Sequence, residues 1–345
     1  MEMESDRRKL AINIKKDLDR NMIGQNNYKE LMAEILSKHI VDDKVSSSLI
    51  IGPTGSGKTF LIDLLRKSKY IPSYYTIMSI NVSRLTEEGI SGPSLSDYLS
   101  EYVSLCKSKL NRQYKGLIYF DEVDKIVMPS YISTSGVSSD KNAPVQHQLM
   151  QVLDGGSIDG ISVKNTMFVF GGAFHKLDEN KEEQSNQNTI GFLSGEISNN
   201  NVIIKNDIRD KLIDFGFQRE FLGRIQHICR INALTEKELA VCLLHPSNGI
   251  ISKIQRAYEE DGIRLECKPS AVDELIKAIK AQNLGARSVN NVMLSLLEGA
   301  WFKCINGEYD RIVIDKKSIL TGEVIYERSN SKEKKIVQTT ASEIF

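Results

Sequence analysis

The sequence predicts an α/β chain of two domains, a larger one built on a mostly parallel sheet and a smaller, mainly helical one. Three observations carry that prediction. Short β-branched, apolar runs alternate with helical stretches, a glycine-rich loop closes the first run, and the texture changes after Leu234. The 345 residues suit about two domains at roughly 150 residues each. With 41% hydrophobic and 26% charged residues the composition is ordinary for a globular protein, which excludes a wholly disordered or fibrous chain.

Residues 1–15 are charge-rich and read as an N-terminal extension. Leu10, Ile12, Ile14 and Leu18 have helical spacing, and a second helix follows Asn26 with Leu31, Ile35 and Leu36 on one side. Ser48–Ile51 is a short apolar run opening into a glycine-rich turn, so it reads as a buried strand, and Phe60–Leu65 continues as helix. Tyr74–Ile80, Gly116–Phe120 and Thr166–Phe170 are further strands, and the helical stretches between them mark βαβ units. Residues 129–144, with five serines, and the polar stretch 176–189 read as surface loops. From Thr235 the pattern is helical, with Thr235-Glu236-Lys237-Glu238 resembling a capped start, a brief strand near Ile263–Glu266, and more helix to about Cys304. Trp301 reads as core of that part. The expected limits are 16–234 for the large domain, 235–326 for the small one, and a flexible tail over 327–345.

Lysine plus arginine and aspartate plus glutamate both total 45, so the net charge is zero and the basic excess of a nucleic-acid coat protein is missing. Five cysteines (Cys106, Cys229, Cys242, Cys267 and Cys304) form no CxxC pair, which fits neither a disulfide framework nor a zinc knuckle. The acidic start Met1–Asp6 lacks an apolar signal core, and no run approaches the roughly 18 apolar residues of a membrane span. A cytoplasmic protein with reduced thiols is the expectation. The five histidines are scattered with no helical pair suited to a metal.

Gly52-Pro53-Thr54-Gly55-Ser56-Gly57-Lys58-Thr59 fits G-x-x-x-x-G-K-[ST], between an expected strand and an expected helix. Glycines let backbone N–H groups converge on one anion at the positive end of the helix. Lys58 would reach the β- and γ-phosphates of ATP, and the Thr59 hydroxyl would ligate Mg²⁺. Downstream, the apolar run Leu117–Phe120 ends in Asp121-Glu122, at the strand end where an open α/β sheet binds its ligand. Asp121 would hold hydrated Mg²⁺ and Glu122 would polarise the attacking water. The two motifs together indicate nucleoside triphosphate hydrolysis.

Gly52–Thr59, Asp121-Glu122-Val123-Asp124-Lys125-Ile126 and Gly171-Gly172-Ala173-Phe174, with Ile23-Gly24-Gln25, Leu212–Arg224 and Leu284-Gly285-Ala286-Arg287 in the same order, resemble the AAA+ unfoldases of the ClpX type, with HslU a near relative. The similarity covers roughly residues 15–320. It implies an α/β P-loop AAA+ fold with a five-stranded parallel sheet and a helical lid, ATP at the junction of the domains, and a homo-oligomeric, hexameric ring. It implies adenine packing by Met22 and Ile23, an arginine finger in Arg224 that reaches the neighbouring subunit's γ-phosphate, and a nucleotide-sensing arginine in Arg287. Ile190-Gly191-Phe192 matches the loop by which this group docks on the peptidase ClpP, an apolar anchor of the hot-spot kind. The polar residue at the end of the fourth strand has no counterpart, since Gly171 and Gly172 stand there.

Other departures concern substrate grip. Gly89-Ile90-Ser91-Gly92 stands where the family has an aromatic pore loop, so Ile90 keeps an apolar handle without the flat ring. The basic loop near the pore entrance and the family's N-terminal zinc-binding domain have no counterpart. The expected activity is ATP-driven unfolding of protein substrates, delivered to a ClpP-like peptidase by a chain with no peptidase site of its own. A remodeller of one dedicated partner complex is the alternative that Ile90 favours. A nucleic-acid motor on the same scaffold is opposed by the zero net charge and the lack of an added DNA-binding module.

Overall fold

A strand that is apolar on both faces is stable only where both faces are covered, and that requirement orders the sheet. Ser47–Ile51 (β1) is buried at every position. The others are Thr76–Asn81 (β2), Gly116–Asp121 (β3), Thr166–Gly172 (β4) and His227–Arg230 (β5). The spatial order is β2-β3-β4-β1-β5, with every pairing parallel. The fully buried strands β1 and β4 lie inside, while β5, with His227 and Ile228 half-buried and Arg230 exposed, takes an edge. The computed structural model describes residues 2–85, 93–127, 131–134, 137–140, 143–177, 200–281, 287–328 and 335–336.

The chain divides into two compact units. One comprises Met1–Leu18, Asn26–Pro53 and Gly57–Asn232; the other comprises Asp19–Gln25, Thr54–Ser56 and Ala233–Phe345. In the first unit, Phe120 stacks on Phe170 with centroids 5.1 Å apart, and Phe170 meets Phe221 edge-on at 5.3 Å. Such pairs add about 1 kcal/mol each to their area burial and lock β3, β4 and the helix Arg219–Arg224 together. The helix Lys58–Lys67 buries Leu61, Ile62 and Leu65, a spacing that aims one stripe at the core. The first helix runs over Glu2–Asn21, so the segment expected as an extension is helical from its start, with Ile14 and Leu18 buried further along.

The fifth strand, the one that the residue pattern alone did not locate, is His227–Arg230. Residues expected as a serine-rich loop include a two-stranded antiparallel hairpin, Tyr131–Thr134 with Val137–Asp140. In the second unit the helix Glu236–Leu244 starts at the reciprocal Thr235/Glu238 capping box that the sequence suggested. That unit is less purely helical than expected. Arg264–Cys267, Arg311–Ile314, Ile325–Glu327 and Lys335–Ile336 form a four-stranded sheet, the last of these within the expected tail. Trp301 is not core. It is 38% exposed and donates from Nε1 to Asp261 Oδ2 at 2.7 Å, because its polar edge needs a partner. All five cysteines are free, and Cys106, Cys229 and Cys304 are buried.

His39 ties the helix Asn26–Asp42 to the first unit's sheet. Its Nε2 faces the Asn165 carbonyl at 3.1 Å, and Nδ1 faces the Tyr75 hydroxyl at 2.7 Å. A carbonyl only accepts, so Nε2 carries the proton and Nδ1 accepts from Tyr75. Burial, with Lys115 nearby and Asp43 opposing, pushes the imidazole down to about 4. An unfolded histidine titrates near 6.5, so between roughly pH 6.5 and 4 only the unfolded chain binds this proton. Stability therefore rises with pH across that window and is insensitive to this group above it. Urea denaturation at pH 7 and pH 5 should show a smaller pH-dependent loss for His39→Gln than for the parent chain; equal losses would acquit His39.

Candidate functional site

Gly52, Pro53, Thr54, Gly55, Ser56, Gly57, Lys58 and Thr59 follow directly on β1. The loop needs glycine for conformation at Gly55 and Gly57, whose φ values of 78° and 96° lie in the left-handed region. At Gly52 the need is space, since an added Cβ would stand 2.3 Å from Ile231 Cγ1. Gly57 caps the helix Lys58–Lys67 without a side-chain hydrogen bond, so the first-turn amides form an anion-binding end. Ser56 Oγ is buried with no hydrogen-bond partner among the described residues, an orphan that a phosphate oxygen would satisfy. Lys58 Nζ donates to the carbonyls of Gly52, at 2.5 Å, and Pro53, at 2.9 Å, which folds the ammonium over its own loop.

The carboxylate of Asp121 sits at the carboxyl end of β3. Its Oδ2 accepts from Thr59 Oγ1 at 2.7 Å; its Oδ1 accepts from the Glu122 amide at 3.0 Å and from the Tyr119 hydroxyl at 3.2 Å. Because Thr59 spends its proton on Asp121, the lone pairs of its oxygen remain for a cation. A hydroxyl and a carboxylate side by side, both half-buried, make the hard oxygen pair that Mg²⁺ takes together with phosphates and water. No cluster of three or more metal-ligating side chains occurs among the described residues.

Glu122 is exposed and has φ 60°, a left-handed value unusual for a residue with a side chain. The turn is held at both sides: Val123 N–H donates to the Gly171 carbonyl at 2.9 Å, and Asp124 Oδ1 accepts from Ala173 N–H at 3.1 Å. These bonds fasten the end of β3 to the end of β4. Backbone strain of this kind costs on the order of 1 kcal/mol and is concentrated at functional sites.

Arg224 ends the helix Arg219–Arg224 in a two-pronged ion pair with Asp154: Nε to Oδ1 at 2.5 Å and Nη2 to Oδ2 at 2.6 Å. The pairing lowers the Asp154 carboxyl below its ordinary range and raises the guanidinium. In the second unit Met22 is buried and Ile23 half-buried, and Gln25 Nε2 donates to the Ser56 carbonyl at 3.2 Å. Arg287 opens the helix Arg287–Leu296, but its side chain lies outside the described residues, as do Ile90, Ile190, Gly191 and Phe192. Motif reading gave no role to Tyr119 or Asp154. Asp154 acts through Arg224, 70 residues along the chain, and Tyr119 through a hydrogen bond that the strand pattern does not announce.

The model of the AAA domain (Cdc48 subfamily) matches residues 43–228, more than half of the chain. The chain belongs to the AAA family. This AAA protein is also similar over most of its length to proteins named ATP-dependent Clp protease ATP-binding subunit ClpX. That of Treponema denticola is 28% identical, with 89% of this chain and 80% of that protein covered. That of Borrelia duttonii is 25% identical (90% and 78% covered), and that of Bacteroides thetaiotaomicron 25% (85% and 76%). The resemblance to ClpX-type AAA+ ATPases read from the motifs, and the ATPase activity it implies, are thereby supported along the whole AAA core. No helix among the described residues is long and apolar enough to cross a membrane. Replacing Lys58 with alanine removes the loop's ammonium while leaving the sheet intact. Calorimetry should show ATP affinity reduced at least about tenfold with a near-parental urea midpoint; parental affinity would contradict a phosphate role for Lys58.

Proposed function

We propose that the chain is an ATP-driven protein unfoldase of ClpX type, working in the cytoplasm as a hexameric ring that hands polypeptide to a ClpP-like peptidase. The observation that carries the ATPase centre is the Thr59–Asp121 hydrogen bond, which sets a hydroxyl and a carboxylate side by side beneath an uncapped helix start. The loop Gly52–Thr59 takes the phosphates, with Lys58 turning from its own carbonyls to the β- and γ-oxygens. Thr59 and Asp121 would hold Mg²⁺, which when bound neutralises the charge of the triphosphate. The Glu122 carboxylate, presented to solvent by its left-handed backbone, accepts the proton of the attacking water. Arg224 supplies positive charge to a neighbouring subunit's γ-phosphate, Met22 and Ile23 pack on adenine, and Arg287 responds to the nucleotide. Ile90 contacts the moving polypeptide, and Ile190, Gly191 and Phe192 form the peptidase anchor.

The names of the relatives, subunits of a Clp protease, support the peptidase half of this reading. Gly89-Ile90-Ser91-Gly92, without a pore-loop aromatic, favours a remodeller acting without a peptidase. Glu122→Gln should keep ATP binding and lower turnover by about 10²-fold or more in single-turnover assays, since general-base help of that size is lost. Undiminished turnover would mean that the base is elsewhere. For the peptidase, degradation of a tagged folded protein by this chain with ClpP and ATP should exceed that by ClpP alone. ATPase activity without any such acceleration would leave the remodeller reading in its place.

A further inference from the structure

Tyr119 lies in β3, two residues before Asp121, and is completely buried. A buried hydroxyl is costly unless it is bonded, and the bond that Tyr119 makes is to Oδ1 of the Asp121 carboxylate at 3.2 Å. The tip of the ring also has a defined place on the adjoining strand. An added Cβ at Gly171 would stand 2.1 Å from the Tyr119 oxygen and 2.7 Å from Cζ. The phenol therefore fills the volume that a side chain at position 171 would enter. The end of β4, which lacks a polar side chain of its own at Gly171 and Gly172, receives its polar group from β3.

We propose that Tyr119 is a positioning residue of the nucleotide site: its hydroxyl, standing in the place of a side chain at Gly171, orients the Asp121 carboxylate so that Oδ2 meets Thr59 and the pair is set for the nucleotide's Mg²⁺. Without that hydroxyl, Oδ1 keeps only the neighbouring Glu122 amide, and the carboxylate gains freedom to turn about its last torsion. This inference rests on the reading of Thr59 and Asp121 as the Mg²⁺ side of an ATP site.

The test is Tyr119→Phe in the full chain, with ATP affinity measured by calorimetry in excess Mg²⁺ and in EDTA. The variant should bind ATP in EDTA within about twofold of the parent, yet lose about five- to tenfold of the affinity gained from Mg²⁺. The Mg²⁺ concentration for half-maximal hydrolysis should rise by a similar factor, and the urea midpoint should stay near that of the parent. A folded variant with the parental Mg²⁺-dependent gain overturns the proposal while leaving the ATP site standing. A parent chain with no Mg²⁺-dependent ATP binding overturns the functional reading instead. Should Tyr119→Phe not fold, Gly171→Ala, whose Cβ must push the ring tip aside, is read in the same assay. An undiminished Mg²⁺ gain there likewise overturns the proposal.

Discussion

One hydrogen bond, from Thr59 to Asp121, joins the two halves of the site, and much of the first unit's architecture serves to place its ends. The residues are 62 positions apart. Thr59 sits in the first turn of the helix that follows β1, and Asp121 at the last position of β3, with β4 between the two strands. Their meeting depends on parallel register: Ile51 pairs with Gly172 of β4, and Phe120 with Phe170, so the carboxyl ends of the three strands finish level. A slip of one residue in either pairing would turn the Asp121 side chain to the other face. The buried aromatic stack under this end resists such a slip, because it would lift Phe120 and Phe170 out of the core. The chemistry of the site and the packing of the sheet are thus one constraint seen from two sides.

Crowding at the strand ends explains the glycines better than flexibility does. Gly52 is limited by Ile231, and Gly172 by Phe174 and Asp124. Backbone and side chains from three strands converge within a few ångströms there, and only residues without a Cβ let them. The left-handed Glu122 belongs to the same economy of space. With the amide of Val123 committed to Gly171, the chain must turn sharply to leave the sheet, and its carboxylate is thrown outward.

These packing facts also divide what was legible in the sequence from what was not. The phosphate loop was legible because its chemistry needs consecutive residues. β1, β3 and β4 were legible because strands buried on both faces are written as unbroken apolar runs. β5 was not: as an edge strand of four residues with His227 and Arg230 at its ends, it carries no such run, and only pairing with β1 defines it. The strands Arg311–Ile314 and Ile325–Glu327 were missed for the same reason, being three or four residues long and ordered by partners far along the chain. Trp301 misled because a large ring suggests core, whereas its N–H had a carboxylate to find at the surface. Tyr119 reads as one more strand aromatic until Gly171 is known to lie beside it.

Asp154 poses a last physical question, about the arginine that we propose serves another subunit. A guanidinium on a flexible stem loses much side-chain entropy when it must meet a distant phosphate in one orientation. The two-pronged contact with Asp154 removes part of that freedom beforehand, and the Glu220 carbonyl, accepting from Nη1 at 2.7 Å, fixes the plane further. The pair is partly open to water, at 33% and 51% exposure, so it contributes little to stability and can give way to a more highly charged anion. A buried pair would hold the arginine too firmly to be handed over, and an unpaired arginine would arrive disordered. An exposed, bidentate pair lies between those limits, as the proposed role of Arg224 toward a neighbour would require.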